Sequence, residues 1–333
     1  MALPLLLRLT SSSSSSSPLR FRKPFRLLAY TLAYTFSTTS QPNPPPIRVS
    51  LTDSVGRAVF ATRPILTGDL IHTAEPAICH PSPSSLHPVC YSCLASLPNQ
   101  STVSPFCSHR CHQRSKEYYD VEMKANWTDF DNYCRDKYLN SFQRNQGLKY
   151  PFLVKRLACM IISGVARSDS IDILQPANLT PEMILEMEEE FTLLRNAFTK
   201  ALIEDEQIAF LTKQWYISVL ARIRINAFRI ELAGGGSYED LLSSAFASVE
   251  AEAAVGNAVY ILPSFYNHDC DPNAHIIWID SAVAKLKTLR DIDEGEELRI
   301  CYIDTSMDRD ARRELLFRGF GFHCNCSRCL HGD

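Results

Sequence analysis

Eight of the twelve cysteines have the spacing of metal ligands, and they are the residues with the clearest chemical capacity. Cysteines two or three residues apart can direct both thiolates at one ion, and four thiolates complete the tetrahedral cage of a structural zinc site. The first group is Cys90, Cys93, Cys107 and Cys111, and the second is Cys324, Cys326 and Cys329, with Cys270 as the candidate for a fourth ligand. The first group predicts one structural zinc, in which His109 or His112 could replace a thiolate.

The second group has only three cysteines near the C-terminus, one fewer than a tetrahedral site needs. We expect Cys270 to supply the fourth thiolate, and His331 is the alternative because it follows Cys329 closely. His323 directly precedes the first ligand, so its side chain should point away from the ion. The remaining cysteines are isolated and are interpreted as core thiols, which favours a reducing compartment. They are Cys79, Cys134, Cys159 and Cys301.

Strands are predicted on both sides of a long helical region, and these elements must position the metal ligands. Between Val49 and Ile78, short apolar runs alternate with turn residues, which predicts two or three strands with tight turns at Gly56 and Gly68. Residues 81–113 are rich in Pro, Ser and Cys and are expected to be irregular. After the helices, further strands are predicted at 275–279, 283–289 and 298–302.

The helical region is predicted over 115–228, and a glycine-rich loop follows at 233–237. Thr180 followed by a proline and a glutamate is typical of a helix start, because a hydroxyl cap and an acid both stabilise the positive end of a helix. One further helix is predicted from apolar residues that recur at steps of three and four. They are Ile208, Leu211, Trp215, Val219 and Ile223, and we assign them to the core.

The N-terminus differs in composition from the rest of the chain. Residues 1–50 contain no acid, and a serine run extends from Ser11 to Ser17. This composition is typical of a mitochondrial or chloroplast transit peptide, with a disordered tail as the alternative. Of the 34 basic residues, six lie in 1–50, which leaves 28 against 37 acidic residues and disfavours duplex DNA as a partner. No apolar run reaches about eighteen residues, so a transmembrane helix is not predicted.

Four segments resemble motifs of SET-domain lysine methyltransferases and occur in the order of that family. Residues 267–273, Asn-His-Asp-Cys-Asp-Pro-Asn, are similar to the NHxCxPN signature. Residues 56–61 resemble the first motif, G-x-G-L-x-A, with alanine in place of the second glycine, and 295–304 resemble the GEEL-x-x-x-Y-x-D motif. The tail 322–329 resembles a post-SET C-x-C-x-x-C segment. On these motifs the chain is identified as a member of the SET family over 49–330.

Within that family, the zinc group between the first strands and the helices resembles the SET-MYND subgroup, of the plant trithorax-related type. Residues 226–228, Asn-Ala-Phe, are similar to the N-S-F segment of that subgroup. A full MYND module binds two zinc ions, and this chain has the ligands of only one, so a reduced, single-zinc MYND-like insert is expected. The partner-binding role of MYND modules therefore does not follow from the resemblance.

The resemblance implies an α+β fold: a SET-domain β-fold with a pseudoknot, an inserted zinc knot, a helical insert and a C-terminal post-SET zinc site. The pseudoknot would bring Cys270 under the C-terminal tail. The expected divisions are a transit peptide or disordered tail (1–45), the N-terminal part of the SET domain (46–80), the MYND-like zinc knot (81–114), the helical insert (115–225), the C-terminal SET core (226–305) and the post-SET segment (306–333).

The resemblance also implies a site for S-adenosyl-L-methionine together with two structural Zn²⁺ ions. The expected cofactor contacts are Arg57, Asn226, Asn267, His268 and Phe322. Tyr302 is the expected catalytic residue, because in the family this hydroxyl lies at the point of methyl transfer and orients amine and methyl group. Phe228 and Phe320 are expected to line the channel for the substrate lysine. Relatives often have tyrosine at the position of Phe320, so the number of methyl groups added stays open.

The implied activity is transfer of a methyl group to a lysine of another protein, a histone or a non-histone substrate. An apolar channel would favour the neutral amine, since desolvation lowers the pKa of lysine. The alternative is a catalytically weak SET scaffold that acts as a protein-interaction module. A nucleic-acid-binding zinc protein is disfavoured by the acidic body of the chain. We expect a monomer without direct contact with nucleic acid or membrane. The N-terminus indicates an organelle, whereas a histone substrate would require the nucleus.

Overall fold

The computed structural model describes residues 44–52, 56–83, 88–98, 104–140, 149–233 and 254–332. The targeting segment predicted for 1–45 and the loop predicted for 233–237 lie almost entirely outside these residues. Both therefore stay predictions. Within the described residues, no helix is both long enough and apolar enough to cross a membrane.

The β-structure of the described residues forms three sheets. Their strands are β1 (Ile47–Thr52), β2 (Gly56–Ala61), β3 (Leu70–Ala74), β4 (Ile78–Pro81), β5 (Ala227–Ile230), β6 (Gly256–Val259), β7 (Asn267–His268), β8 (Ala274–Ile277), β9 (Ala284–Thr288) and β10 (Glu297–Ile300). The sheet orders are β1-β2-β10-β7, β3-β9-β8 and β4-β6-β5. β7 and β10 pair in parallel, and the other pairs are antiparallel.

The strand predictions agree with the structure where the sequence alternates. β9 alternates between buried and half-buried residues, which is the pattern of a strand with one face in the core. Gly68 has a φ of 80°, a conformation that glycine adopts without steric cost, and it supports the turn before β3. The N-terminal region contains four strands rather than the two or three expected. β5 and β6 were not predicted: β5 directly continues α5 at the end of the predicted helical region, and β6 is buried along its whole length, so neither shows the alternation of a strand.

The helices of the described residues are α1 (His109–Lys124), α2 (Thr128–Asn140), α3 (Lys149–Ile162), α4 (Pro181–Lys200), α5 (Lys213–Asn226), α6 (Arg309–Phe320) and α7 (Ser327–His331). The predicted start of α4 is confirmed, since the Thr180 side chain accepts a hydrogen bond from the backbone N–H of Met183. The combination of helices and sheets confirms the α+β class. Helix α3 packs against α1 and α5 and also against β4, so it joins the helical insert to the sheet β4-β6-β5.

Two helix predictions are wrong. α1 begins at His109, inside the stretch 81–113 that was expected to be irregular, because the Ser108 side chain caps it by accepting from the N–H of Cys111. The apolar stripe does not lie on one helix, because the Thr212 side chain caps α5 by accepting from the N–H of Trp215. Its first two members, Ile208 and Leu211, therefore precede the helix, although both are fully buried as core residues.

A buried ionic cluster joins α1 to α3. Glu122 accepts a hydrogen bond from Arg156 at 3.0 Å, and its second oxygen lies 3.7 Å from the Lys155 ammonium. Arg156 also donates to the backbone carbonyls of Cys79 and Tyr91. Burial alone would raise the pKa of Glu122, but the charges of Arg156 and Lys155 outweigh it and hold that pKa at about 2. The cluster therefore couples the helical insert to β4 and to the segment around the first cysteine group.

Candidate active site and metal centres

The parallel pairing of β7 with β10 brings two of the sequence motifs together. Asn267 lies opposite Arg299, and His268 lies opposite Ile300. Tyr302 follows the end of β10 by two residues, so it enters the same site. A parallel pair cannot be joined by a short hairpin, and here the chain between the strands forms β8 and β9. Two motifs that are distant in sequence thus form one edge of the sheet β1-β2-β10-β7.

His268 connects Tyr302 to a cysteine group. The backbone N–H of Tyr302 donates to Nδ1 of His268 at 3.1 Å. Because Nδ1 accepts, a neutral imidazole carries its proton on Nε2, which lies 3.3 Å from Sγ of Cys270. Burial lowers the pKa of His268 to about 4, so the ring is neutral at physiological pH. The imidazole therefore has one defined tautomer and one defined orientation.

The hydroxyl of Tyr302 also has a defined direction. It donates to the backbone carbonyl of Tyr266 at 2.5 Å. A carbonyl oxygen can only accept, so the lone pairs of the Tyr302 oxygen are left to accept a hydrogen bond from another group. Burial raises the pKa of Tyr302, which keeps the phenol protonated. A neutral phenol with a fixed donor direction is suited to orienting an amine.

Asn267 is held by two hydrogen bonds that both use its amide nitrogen. The nitrogen donates to the backbone carbonyl of Arg57 at 3.2 Å and to Oε1 of Glu297 at 2.8 Å. Its side-chain oxygen is therefore left as an acceptor for a ligand. The Arg57 guanidinium donates to the carbonyl of Ile173 and lies over the ring of Phe265, 4.9 Å from its centroid. Arg57 thus contributes to this edge of the site through its backbone.

Three aromatic side chains predicted for the site lie in two places. The ring of Phe320 is 4.9 Å from that of Tyr302, and the ring of Phe322 is 6.5 Å from it and 6.1 Å from that of His268. Phe228, in contrast, packs against Tyr260 at 5.5 Å and against Trp278 at 6.3 Å. The structure therefore groups Phe320 and Phe322 with Tyr302 but records no ring contact between Phe228 and Tyr302 among the described residues.

Asn226 occupies the last position of α5 and is buried. Its amide nitrogen donates to the backbone carbonyls of Gln175 at 2.9 Å and Arg222 at 2.7 Å. These bonds hold the C-terminal end of the helix against the segment before α4. The structure records no hydrogen bond between Asn226 and the residues of β7 or β10. Its cofactor role stays a prediction that rests on the resemblance.

The second cysteine group forms a buried cluster of four thiols. Its sulfur atoms all lie within 4.8 Å of one another, and they belong to Cys270, Cys324, Cys326 and Cys329. This arrangement has the number and chemistry of donors that a tetrahedral zinc site needs. His331 is exposed, and its Nδ1 lies 2.7 Å from the carbonyl of Ser327. His323 stacks on Phe317 with centroids 4.4 Å apart. The structure thus places Cys270 rather than His331 in the cluster and directs His323 elsewhere.

The first cysteine group also assembles around one point. Its members, with sulfur atoms within 4.8 Å of one another, are Cys90, Cys93, Cys107 and Cys111. The backbone N–H of Cys107 donates to the sulfur of Cys90 at 3.3 Å, a contact that stabilises a thiolate. His112 packs its ring against Phe106 at 5.0 Å rather than replacing a thiol. The residues therefore fit a closed structural zinc site with no open coordination position.

Two residues of these sites were not predicted from the sequence. Tyr266 directly precedes Asn267, and only the hydrogen bond from Tyr302 reveals that its carbonyl belongs to the site. Arg312 of α6 is 1% exposed and lies at the second cysteine cluster. Burial alone would lower the pKa of Arg312, but hydrogen bonds and charge from Cys329 and Cys270 outweigh it and raise the pKa. A basic residue on an amphipathic helix gave no signal of this contact, because most such residues face solvent.

The fold and the site together define an α+β protein with two thiol clusters suited to structural zinc and a Tyr-His-Asn centre between paired β-strands. A family profile described as the SET domain matches residues 56–303. The chain belongs to the SET-domain family, which confirms the identification made from the motifs.

Three relatives extend this result. The chain is 56% identical over 320 residues to the histone-lysine N-methyltransferase ATXR4 of Arabidopsis thaliana, a match that covers 92% of this chain and 96% of the relative. It is 27% identical over 282 residues to a SET and MYND domain-containing protein of Dictyostelium discoideum, a match that covers 79% of this chain and 77% of the relative. It is 26% identical over 288 residues to the histone-lysine N-methyltransferase SMYD3 of Homo sapiens, a match that covers 84% of this chain and 60% of the relative. These similarities bear out the SET-MYND resemblance.

Proposed function

We propose that the protein transfers a methyl group from S-adenosyl-L-methionine to the side-chain amine of a lysine in another protein. The observation that carries this proposal is the pair of hydrogen bonds made by Tyr302. Its hydroxyl donates to the carbonyl of Tyr266, and its backbone N–H donates to His268. Together they direct a neutral phenolic oxygen at the centre of the site formed by β7 and β10.

The residues of this site fit the cofactor by their chemistry. The free oxygen of Asn267 can accept from the ammonium group of the methionine part, because both hydrogens of its amide nitrogen are already donated. The half-buried ring of Phe322 offers an aromatic face to a flat heterocycle such as adenine. When bound, S-adenosyl-L-methionine supplies a methyl group on a positively charged sulfonium. Arg57, Asn226 and His268 complete the set of residues assigned to it.

Tyr302 orients the substrate amine. Because its hydroxyl hydrogen is donated to Tyr266, its oxygen accepts an N–H of the lysine amine and turns the amine lone pair toward the methyl carbon. The methyl group of bound S-adenosyl-L-methionine would then pass to the amine nitrogen, with the electrons of the S–C bond left on sulfur, so the part of this chain is to bind and align the two reactants. Holding two reactants in line is the main source of acceleration in such a step. The amine then loses one proton to water.

The surroundings of Tyr302 favour the neutral amine that this attack needs. Phe320 packs on the Tyr302 ring, and Phe322 lies close to it. An apolar channel disfavours the ammonium form of lysine, because burial stabilises the uncharged state. Phe228 is assigned to the same channel from the resemblance. The two cysteine clusters would hold structural zinc ions, and their role is to stabilise the fold rather than to take part in the reaction.

Radiolabel transfer tests the proposal. The purified full-length chain is incubated with methyl-tritiated S-adenosylmethionine and, separately, with core histones and with protein extracts of chloroplasts and mitochondria. We expect label on lysine of at least one protein, and its loss with Tyr302→Phe. Calorimetry of S-adenosylmethionine binding separates the enzyme from the scaffold alternative, because a scaffold should not bind the cofactor. A chain that neither binds the cofactor nor labels any protein would contradict the proposal and favour the scaffold.

The class of substrate and the location belong to the same proposal. Two of the relatives are named as histone-lysine methyltransferases, which supports a basic protein substrate and a nuclear location. The acid-free N-terminus favours an organelle, where the substrate would be a non-histone protein. We favour the organelle. Imaging of the tagged full-length chain beside a variant lacking residues 1–45 is the test, and nuclear signal from both would contradict this part of the proposal.

A further inference from the structure

An irregularity in β3 turns a histidine into the core. The pairing with β9 shifts register between Leu70, which lies opposite Lys287, and His72, which lies opposite Leu286. The extra residue on β3 is Ile71, and both Ile71 and His72 are 2% exposed. In a regular strand, consecutive side chains point to opposite faces, whereas a bulge can re-aim one of them. The bulge therefore allows His72 to face the interior, although the side chain of Ile71 directly before it is also buried.

His72 uses both ring nitrogens. Nδ1 lies 3.2 Å from the backbone carbonyl of Thr73, which can only accept, so Nδ1 carries the proton. Nε2 lies 3.0 Å from the hydroxyl of Tyr266 and accepts its hydrogen. Burial lowers the pKa of His72 to about 4, so the imidazole is neutral at physiological pH. The direction of the Tyr266 hydrogen bond is thus set by the tautomer of His72.

Tyr266 connects this histidine to the catalytic hydroxyl. Its side chain is fully buried and donates to His72, while its backbone carbonyl accepts from Tyr302. We propose that His72 is a positioning residue for methyl transfer: it anchors the Tyr266 side chain, and through it the carbonyl that orients the Tyr302 hydroxyl. The inference rests on the proposed function. It assigns a role in the site to the sheet β3-β9-β8, which contributes no residue to the motifs.

The expected effect is on geometry rather than on binding. Without the bond to His72, the Tyr266 hydroxyl would be a buried donor with no partner, and the residue would shift to satisfy it. A shift of the Tyr266 carbonyl would turn the Tyr302 hydroxyl away from the amine. A misplacement of about 1 Å can cost about a hundredfold in rate. Among the described residues, the recorded hydrogen bonds and ring contacts of His72 and of the Tyr266 side chain do not involve Asn267 or Phe322, so cofactor affinity should change little.

Three variants test the inference in the full-length, zinc-loaded chain: Tyr266→Phe, His72→Phe and His72→Gln. Each is compared with wild type for kcat and KM toward protein and cofactor, cofactor Kd by calorimetry, and zinc content. We expect the two phenylalanine variants to lower kcat about tenfold to a hundredfold, with KM and Kd within about twofold. His72→Gln should recover most of the loss, because its amide oxygen can accept at the position of Nε2.

Two further variants separate positioning from stability. The double variant His72→Phe/Tyr266→Phe removes both polar groups, so it should regain much of the stability that His72→Phe loses, while kcat stays low. Tyr216→Phe is the matched control, since it removes another fully buried tyrosine hydroxyl, bonded to Glu190 at 3.0 Å in the helical insert. It should lower stability and leave kcat unchanged.

The outcomes are distinct. Recovery of kcat in the stable double variant, or an unchanged kcat in both phenylalanine variants, would overturn the positioning role while leaving the proposed function intact. Failure of His72→Gln to exceed His72→Phe would also overturn it. If the wild-type chain neither binds the cofactor nor labels any protein, the proposed function fails, and the positioning role fails with it.

Discussion

Nε2 of His268 lies 3.3 Å from the sulfur of Cys270, so one imidazole contacts both the second cysteine cluster and the backbone of Tyr302. The neutral ring donates through Nε2 to the sulfur and accepts through Nδ1 from the Tyr302 backbone. A metal bound by the cluster would therefore fix the ring that supports Tyr302, as hydrogen-bonded partners of metal ligands commonly do. This contact makes the second cluster structural in its chemistry and functional in its consequence.

Replacing Cys270 should release one zinc and weaken the cofactor site. Cys270→Ser removes one of four thiolates and the partner of His268. Phe320, the last residue of α6, and Phe322 both pack against the cluster and should lose their positions. We expect the zinc content to fall by one ion per chain and the cofactor Kd to rise about tenfold or more. Metal analysis and calorimetry measure both effects.

His331→Ala is the control for that prediction. His331 is exposed and bonds to the carbonyl of Ser327, so its loss should change neither zinc content nor cofactor affinity. Zinc loss in the histidine variant alone would show that the fourth ligand had been assigned to the wrong residue.

Replacing Cys93 should remove the other zinc with a smaller effect on activity. The first cluster comes from the segment after β4 and from the first turn of α1, and its recorded hydrogen bonds among the described residues reach none of Tyr302, Asn267 and His268. We expect Cys93→Ser to lower the zinc content by one ion and the melting temperature by several degrees, with kcat reduced less than about fivefold. Loss of cofactor binding in Cys93→Ser, with the second zinc still bound, would contradict this separation of the two sites.

Replacing Tyr302 with phenylalanine should stop methyl transfer without affecting cofactor binding. The phenylalanine keeps the ring contact with Phe320 but removes the oxygen that orients the amine. We expect kcat to fall at least about a hundredfold, with the cofactor Kd within about twofold of wild type. Single-turnover kinetics with labelled cofactor measures the loss of methyl transfer, and calorimetry measures the cofactor Kd. A variant with wild-type turnover would exclude Tyr302 as the catalytic residue.

The buried cluster around Glu122 should make stability depend on pH. Its pKa is held at about 2, below the ordinary value of 4.5, so its contribution is fully present above pH 4.5 and is lost as the pH falls toward 2. At pH 7, Glu122→Gln should cost about 3–5 kcal/mol, because Arg156 would stay buried without its counter-charge, whereas Lys155 keeps Asp131 at 3.4 Å. The difference from wild type should shrink as the pH falls below 4.5.

Urea denaturation at a series of pH values measures this difference. Glu75→Gln is the control: Glu75 pairs with Arg114 at 3.1 Å on the surface, and exposed pairs contribute at most about 1 kcal/mol. A Glu122→Gln variant as stable as Glu75→Gln would mean that the cluster does not stabilise the fold.

Local spacing in the sequence was sufficient to identify much of the site. The pairs Cys90-x-x-Cys93 and Cys107-x-x-x-Cys111 determine which thiols can share a turn, and the hydroxyl of Thr180 determines where α4 begins. The cysteine pairs and the helix cap depend on residues a few positions apart, whose geometry follows from the backbone alone. The motifs at Asn267 and Tyr302 indicated the family and its chemistry through their resemblance instead.

Other features depended on the tertiary structure. Contacts between distant residues decide three of them: the choice of Cys270 over His331, the acceptor for the Tyr302 hydroxyl, and the proposed role of His72. The bond from Tyr302 to Tyr266 spans 36 positions, and the bond from Tyr266 to His72 spans 194. Such contacts exist only because β7 pairs with β10 and a bulge re-aims one side chain of β3. A periodic pattern reports which face of a strand is buried, whereas the partner of a buried polar group is decided by how the sheets pack.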